Sequence, residues 1–301
     1  MVAALGLLVS GGCTPAQETS EVDAGAPLAT VPRSEVHTLS SEVRGRDYRI
    51  SVAFPMSYGE TDADYPVLYT LDADLGYALG PTILGTLALG GEVEEAIIVG
   101  IGYGDVSVED WQWLRGIDLT PTQDATYEEQ IRQMAPDAQE VLAGRANEFL
   151  RFLTEEVRPF VESRYRVAEE GNGLFGDSLG GLFALYTLFH APESFDRYIV
   201  GSPSIWWDDR VTMQYEEDYA AGHSDLAAEV FMSVGLLEED PKVPASAAAA
   251  MVSNVRELAD RLNGRGYPNL TLTTHFFEGE THLSVVPVNL GWGLRTLYAP
   301  N

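Results

Sequence analysis

Gly173-Leu174-Phe175-Gly176-Asp177-Ser178-Leu179-Gly180-Gly181-Leu182-Phe183-Ala184-Leu185-Tyr186-Thr187-Leu188-Phe189-His190 decides how this chain is read. Its centre fits Gly-x-Ser-x-Gly, in which a serine sits on a sharp turn between a strand and a helix. The pattern alone is common; its setting makes it specific. Gly173-Leu174-Phe175 reads as the end of a strand, and Gly181 to His190 as a buried helix. Glycine flanks the serine because the turn presses backbone against backbone and leaves no room for a Cβ. The stretch predicts a nucleophilic Ser178 carried on a strand-to-helix turn.

Outward from this turn the chain alternates strands and helices. Val36 to Ser40 and Arg46 to Pro55 alternate in the strand manner, with Gly45 at the turn between them. Tyr65 to Asp72 and Ala96 to Ile101 are apolar without alternation, which fits strands buried on both faces of a parallel sheet. Leu84, Leu87 and Leu89 mark a crossover helix between them. Residues 102 to about 136 read mostly as loop, with Tyr103, Trp111 and Trp113 inside. A long amphipathic helix is expected from Ala138 to Ser163. Further strands are expected at Tyr198–Gly201, Glu229–Gly235 and Leu270–Phe277. Helices are expected at Ala247–Leu262, capped by Ser246, and at Val288–Leu297. This order predicts an α/β fold: a mostly parallel central sheet with an antiparallel N-terminal hairpin and helices on both faces.

The chain has 301 residues, 45% of them apolar, enough for one α/β domain over residues 35–301. With 46 acidic and 18 basic residues, the formal charge is -28, and Lys242 is the only lysine. Such a surface repels nucleic acid and anionic membrane. Cys13 is the only cysteine, so no intrachain disulfide can form. It follows an apolar run from Val2 to Val9 and the tripeptide Ser10-Gly11-Gly12. Residues 1–13 thus look like a shortened export signal with a lipoprotein box, which would anchor the protein through Cys13. No basic residue precedes the run, which leaves a cytoplasmic protein as the alternative. Residues 14–34, rich in Thr, Pro, Ala, Glu and Ser, read as a tether.

A serine hydroxyl needs a base, and the base needs an orienting acid. After a serine turn of this kind they follow in the order acid, then histidine, each beyond a strand. Of the five histidines, His37 lies in the opening hairpin and His190 ends the helix after the serine. His223 sits in an acidic, Ala-rich loop and His275 lies inside a strand. His282 follows the last strand and is the expected base. The acid should follow the strand ending at Gly235, where Glu238 is the expected residue and Glu239 and Asp240 compete. Oxyanion donors are expected from the backbone N–H groups of Leu179 and Asp74, with Ala73 and Leu75 as alternatives to Asp74. Tyr103, Arg115, Trp206 and Trp207 are candidates to line the substrate pocket. Adjacent tryptophans in an extended segment face opposite ways, so at most one of the pair should do so. Arg115 could clamp an anionic substrate group or pair with Asp118.

The chain resembles the putative-esterase branch of the α/β-hydrolase superfamily. That branch includes enterochelin and related siderophore esterases, S-formylglutathione hydrolases, feruloyl esterases and mycolyltransferases. The resemblance runs from about Val36 to Leu297. It is carried by Tyr65 to Asp72, Arg115 to Pro121, Gly176 to Gly181, Ser202-Pro203-Ser204-Ile205-Trp206-Trp207, Gly235 to Glu238 and the His282 loop. The Ser-Pro-Ser-x-Trp-Trp segment points to the siderophore-esterase-like subgroup. The resemblance implies a nucleophile at Ser178, a base at His282, an acid at Glu238, and neither cofactor nor metal. In some members of the subgroup a Ser–His pair works without the acid.

These readings predict a serine carboxylic-ester hydrolase acting through an acyl-enzyme on a small-molecule or polymeric ester. A siderophore-lactone esterase and an acyltransferase of the same fold are the alternatives. A non-catalytic binding lipoprotein is the third reading, disfavoured by the intact serine, histidine and acid. A ferric catecholate siderophore is anionic, and a chain of charge -28 would repel it unless arginines cluster locally.

Overall fold

The computed structural model describes residues 30–134 and 142–300. The expectations for Cys13 and for most of the tether concern residues outside these.

Among the described residues, eight strands form one sheet in the order β1-β2-β4-β3-β5-β6-β7-β8. The strands β1 (Ser34–Ser41) and β2 (Arg46–Ala53) make the antiparallel hairpin, and β2 meets β4 (Ile97–Gly102) antiparallel. From there β3 (Val67–Thr70), β5 (Gly173–Asp177), β6 (Arg197–Gly201), β7 (Ala228–Gly235) and β8 (Leu270–Phe277) run parallel. A parallel sheet must be covered on both faces, because each crossover lays a helix on one of them. Here α1 (Ala73–Gly76) and α2 (Leu79–Leu89) lie between β3 and β4. Between β4 and β5 come α3 (Val108–Asp118), α4 (Ala125–Met134), α5 (Ala146–Arg151) and α6 (Arg158–Glu162). Beyond β5 follow α7 (Leu179–His190), α8 (Trp207–Gly222), α9 (Pro244–Ala249), α10 (Met251–Arg265) and α11 (Val286–Leu297).

The unalternating apolar runs resolve into two alternating faces. Val67 and Tyr69 of β3, Ile97, Val99 and Ile101 of β4, and Val230, Met232 and Val234 of β7 join one core with α5 and α7. Leu68, Ile98, Phe175, Ile199 and Phe231 point the other way, against Leu84 of α2 and Leu290 and Leu294 of α11. Period two persists, but both phases are apolar because both faces are buried.

Four expectations are corrected. The described part of the stretch expected as loop, residues 102 to 134, is not mostly loop: it holds α3 and α4. Ser107 caps α3, its Oγ accepting the Asp110 N–H at 3.0 Å. The helical signal was hidden because α3 buries Arg115 and Asp118, so its inward face is charged. The long helix begins at Ala146 rather than Ala138; residues 142–145 are not helical, and residues 138–141 lie outside those described. It passes through a π-helical stretch, Phe152–Val157, between α5 and α6. The helix expected at Ala247–Leu262 is two, broken at Ala250, whose φ is 48°. Ser246 lies inside the first of them and accepts the Asp240 N–H at 3.1 Å instead of capping. Finally, the acidic, Ala-rich segment before His223 is not loop but the last turns of α8, which ends at Gly222; His223 follows it in extended conformation, stacked on Tyr219 at 4.1 Å. The buried face of α8 includes Glu216, paired with Arg265 at 2.7 Å, which masks its amphipathic pattern.

Phe183 of α7 is fully buried and meets Phe149 of α5 edge-on at 5.1 Å. Phe183→Ala should lower stability by about 3–5 kcal/mol through lost burial and a residual cavity, which denaturant unfolding would measure.

Candidate active site

The turn after β5 is set by crowding. A Cβ on Gly176 would lie 2.1 Å from Gly180 O, so the helix start closes onto the strand end only because no side chain intervenes. The chain then reverses through Ser178 at φ 61° and ψ -118°. Such a conformation costs on the order of 1–3 kcal/mol and persists only where its surroundings over-determine it. Here Ser178 N–H donates to Gly201 O at 3.0 Å, tying the turn to the end of β6.

Ser178, His282 and Glu238 come together from three separate loops. The Ser178 hydroxyl lies 3.0 Å from His282 Nε2. On the other side of the ring, Nδ1–H donates to Glu238 Oε2 at 2.6 Å. Glu238 is buried and held from behind: its Oε1 accepts the Ser202 hydroxyl at 2.6 Å and the Gly235 N–H at 2.8 Å. Of the three competing carboxylates it alone faces the histidine. Glu239 accepts the Ser253 N–H at 2.6 Å, and Asp240 accepts the Lys242 N–H at 2.9 Å. Burial works against the imidazolium of His282. The hydrogen bond and charge of Glu238, joined by the charge of Asp177, outweigh it and hold the pKa above the ordinary 6.5.

The other four histidines lie elsewhere. His37 contacts Tyr165 Oη at 2.8 Å, and His190 stacks on Tyr186 at 4.0 Å. His223 stacks on Tyr219, and His275 on Trp292 at 4.7 Å.

Leu179 is the first residue of α7, where N–H groups lack an intrahelical acceptor and the helix dipole favours negative charge. Across the site, Asp72 turns the chain through φ 55° into α1. The Leu75 N–H is committed to Asp72 O at 3.2 Å, so the loop's candidate donors narrow to Ala73 and Asp74. The Asp74 carboxylate anchors this turn, accepting the N–H groups of Tyr103 at 2.7 Å and Gly104 at 2.9 Å.

The pocket candidates fare unevenly. Arg115 is buried and neither clamps from an open position nor pairs with Asp118. Its Nε and Nη2 grip both oxygens of Asp72 at 2.8 and 2.9 Å, and it lies 4.8 Å from the Trp111 ring centre. Asp118 belongs instead to Arg44, at 2.6 Å, and to the Tyr48 hydroxyl, at 2.6 Å. Trp207 is a core residue, fully buried, its Nε1–H donating to Thr122 Oγ1 at 3.0 Å. Trp206 and Tyr103 are half-buried and remain candidates. Ser202, Asn289 and the Arg115–Asp72 pair went unpredicted. Ser202 stood inside the quoted Ser-Pro-Ser segment, but Asn289 is one polar residue on an apolar helix and gave no signal.

The sheet order and the strained serine turn define a serine hydrolase of the α/β-hydrolase fold. The chain belongs to the Putative esterase family, whose model matches residues 40–283. It is 32% identical over 296 residues to the ferri-bacillibactin esterase BesA of Bacillus subtilis (strain 168), across 95% of this chain and 96% of that one. It is 29% identical over 290 residues to the siderophore triacetylfusarinine C esterase of Aspergillus fumigatus, across 89% and 94% of the two chains. Among solved structures, the siderophore hydrolase EstB from Aspergillus nidulans superposes with a TM-score of 0.77 at 29% identity, over 91% of this chain and 98% of that one. The chain is an ester-hydrolysing enzyme.

Gly176→Ala should displace Ser178 through the 2.1 Å contact and cost at least about a hundredfold in ester turnover. Steady-state kinetics on the folded variant checks this.

Proposed function

We propose that the protein is a carboxylesterase in which Ser178 is the nucleophile, His282 the general base and acid, and Glu238 the orienting acid. The observation that carries this is the continuous line from Ser178 Oγ through His282 to Glu238, at 3.0 and 2.6 Å. Ser178 Oγ attacks the ester carbonyl carbon while His282 Nε2 takes its proton. The N–H of Leu179 and that of Asp74 or Ala73 receive the oxyanion. The intermediate collapses, the bond to the alcohol oxygen breaks, and His282 returns the proton to that oxygen. A water then attacks the acyl carbon, gives its proton to His282, and Ser178 leaves the freed acid with its proton restored.

The names of the relatives favour a second reading within the same chemistry, a siderophore ester or lactone as substrate. Charge argues for an uncharged ester over a polyanionic ferric catecholate. The formal charge is -28, and Arg115, the arginine beside the turn, is spent on Asp72. A panel of p-nitrophenyl esters alongside cyclic hydroxamate and catecholate siderophores would rank these. Faster turnover of a ferric catecholate than of every neutral ester would overturn the charge argument.

Ser178→Ala should reduce p-nitrophenyl ester turnover by about a thousandfold or more, and retained turnover would remove Ser178 from its role. Neutral His282 is the active form and its pKa is raised, so kcat/KM should fall as pH drops below a midpoint lying above 6.5. A pH profile flat down to about pH 5 would exclude His282 as the base.

A further inference from the structure

Asp177 precedes the nucleophile, and the mechanism above makes no use of its carboxylate. Three elements nevertheless converge to hold it. Its Oδ2 accepts Asn289 Nδ2–H at 2.6 Å. Asn289, fully buried on α11, accepts the Ser233 hydroxyl through Oδ1 at 2.7 Å. Facing a carboxylate and a hydroxyl, the amide has one sensible orientation, with nitrogen towards the carboxylate. The neighbouring strand leaves space: a Cβ on Gly201 would lie 2.3 Å from Asp177 Oδ2.

Asp177 is joined directly to Ser178, whose hydroxyl lies 3.0 Å from His282 Nε2, so its carboxylate sits in the same cluster as the base. The charged or titratable groups that act on it are His282 from the loop after β8, Glu238 from the loop after β7, and Arg115 from α3. Arg115 is committed to Asp72, and Glu238 to His282, Ser202 and Gly235. His282 is the one whose charge changes during turnover. Burial lifts the Asp177 pKa to about 6, against the pull of His282 and the Asn289 donor, so at neutral pH the carboxylate is ionised. Its charge in turn favours the imidazolium. An interaction that strengthens as His282 takes the serine proton lowers the barrier, because it is fully made only along the reaction path.

We propose that Asp177, oriented by the Asn289–Ser233 relay, is a second carboxylate serving the base. Glu238 orients His282 through Nδ1, while Asp177 stabilises the imidazolium through space. Asp177 touches neither substrate nor reacting atoms; it acts through His282 and adds no bond-making step. The inference rests on the assignment of Ser178 and His282 as nucleophile and base. It follows that the loss of Glu238 is partly covered by Asp177.

Asp177→Asn keeps the shape and can still accept from Asn289, while removing the charge. The acidic limbs of kcat/KM and of fluorophosphonate labelling of Ser178 should move to lower pH by about half to one unit. The plateau kcat should fall about three- to tenfold, the same shift read as lost transition-state stabilisation, with KM unchanged. Glu238→Gln should cost more in the Asp177→Asn background than in the wild type, because no carboxylate then remains. Asn289→Ala leaves Asp177 in place but withdraws the donor that favours its charged form, and should move the limb the same way by less. It decides the matter if Asp177→Asn does not fold by circular dichroism. An unmoved or upward-moving limb, or equal Glu238→Gln losses in both backgrounds, overturns the proposal. Wild-type protein that fails to label would instead remove the nucleophile assignment beneath it.

Discussion

The closeness of Gly176 to Gly180 governs the rest of the site. With a Cβ on Gly176 placed 2.1 Å from Gly180 O, the strand end and helix start can touch only as bare backbone. That contact forces the reversal through Ser178 and delivers the hydroxyl beyond the sheet, where neighbouring loops can meet it. It also brings the first N–H of α7 beside the hydroxyl, so one constraint sets both the proposed nucleophile and a proposed oxyanion donor. The strain at Ser178 is sustained by what surrounds it: Gly201 O on one side and His282 on the other.

The second organising principle is the handling of negative charge. A chain of formal charge -28 sets Glu238 and Asp177 on the His282 side of the site and Asp72 and Asp74 in the turn after β3. The four differ in what holds them. Asp72 is neutralised by a two-pronged contact with Arg115, and Asp74 is satisfied by two backbone N–H groups. Glu238 bonds His282 directly, and Asp177 is held by Asn289 beside the serine. Buried pairs such as Arg115–Asp72 add little net stability, because desolvation offsets the attraction. What the pair supplies is register: Arg115 Nη2 also reaches towards Asp177 O at 3.5 Å, so the loop after β3 and the end of β5 share one anchor.

How much of this the sequence revealed depends on the kind of signal. Gly176 to Gly180 announced the turn because steric need dictates residue type there. The strands were legible because both their phases are apolar, and His282 because, of the five histidines, it stands in the loop just after the last strand. Spacing favoured Glu238 but left Glu239 and Asp240 as competitors; the choice lies in tertiary contacts, of Glu238 to His282 and Ser202 and of Glu239 to Ser253. Helices α3 and α8 escaped notice for a related reason: their buried faces carry Arg115, Asp118 and Glu216, whose partners lie far off in sequence. Arg115 was singled out, but only the fold could show that its partner is Asp72, and Asn289 depends wholly on such distant partners.

The ties beyond the strand ends carry a consequence for motion. Ser178 N–H reaches Gly201 O, Ser202 N–H reaches Ser233 O at 2.7 Å, and Leu237 N–H reaches Glu280 O at 3.1 Å. Each bond links the chain just past the strand ends, in the loops that hold the serine, the glutamate and its Ser202 partner. Those loops therefore belong to the same cooperative opening unit as the core strands, and their amide protons should exchange with solvent as slowly as those of the sheet.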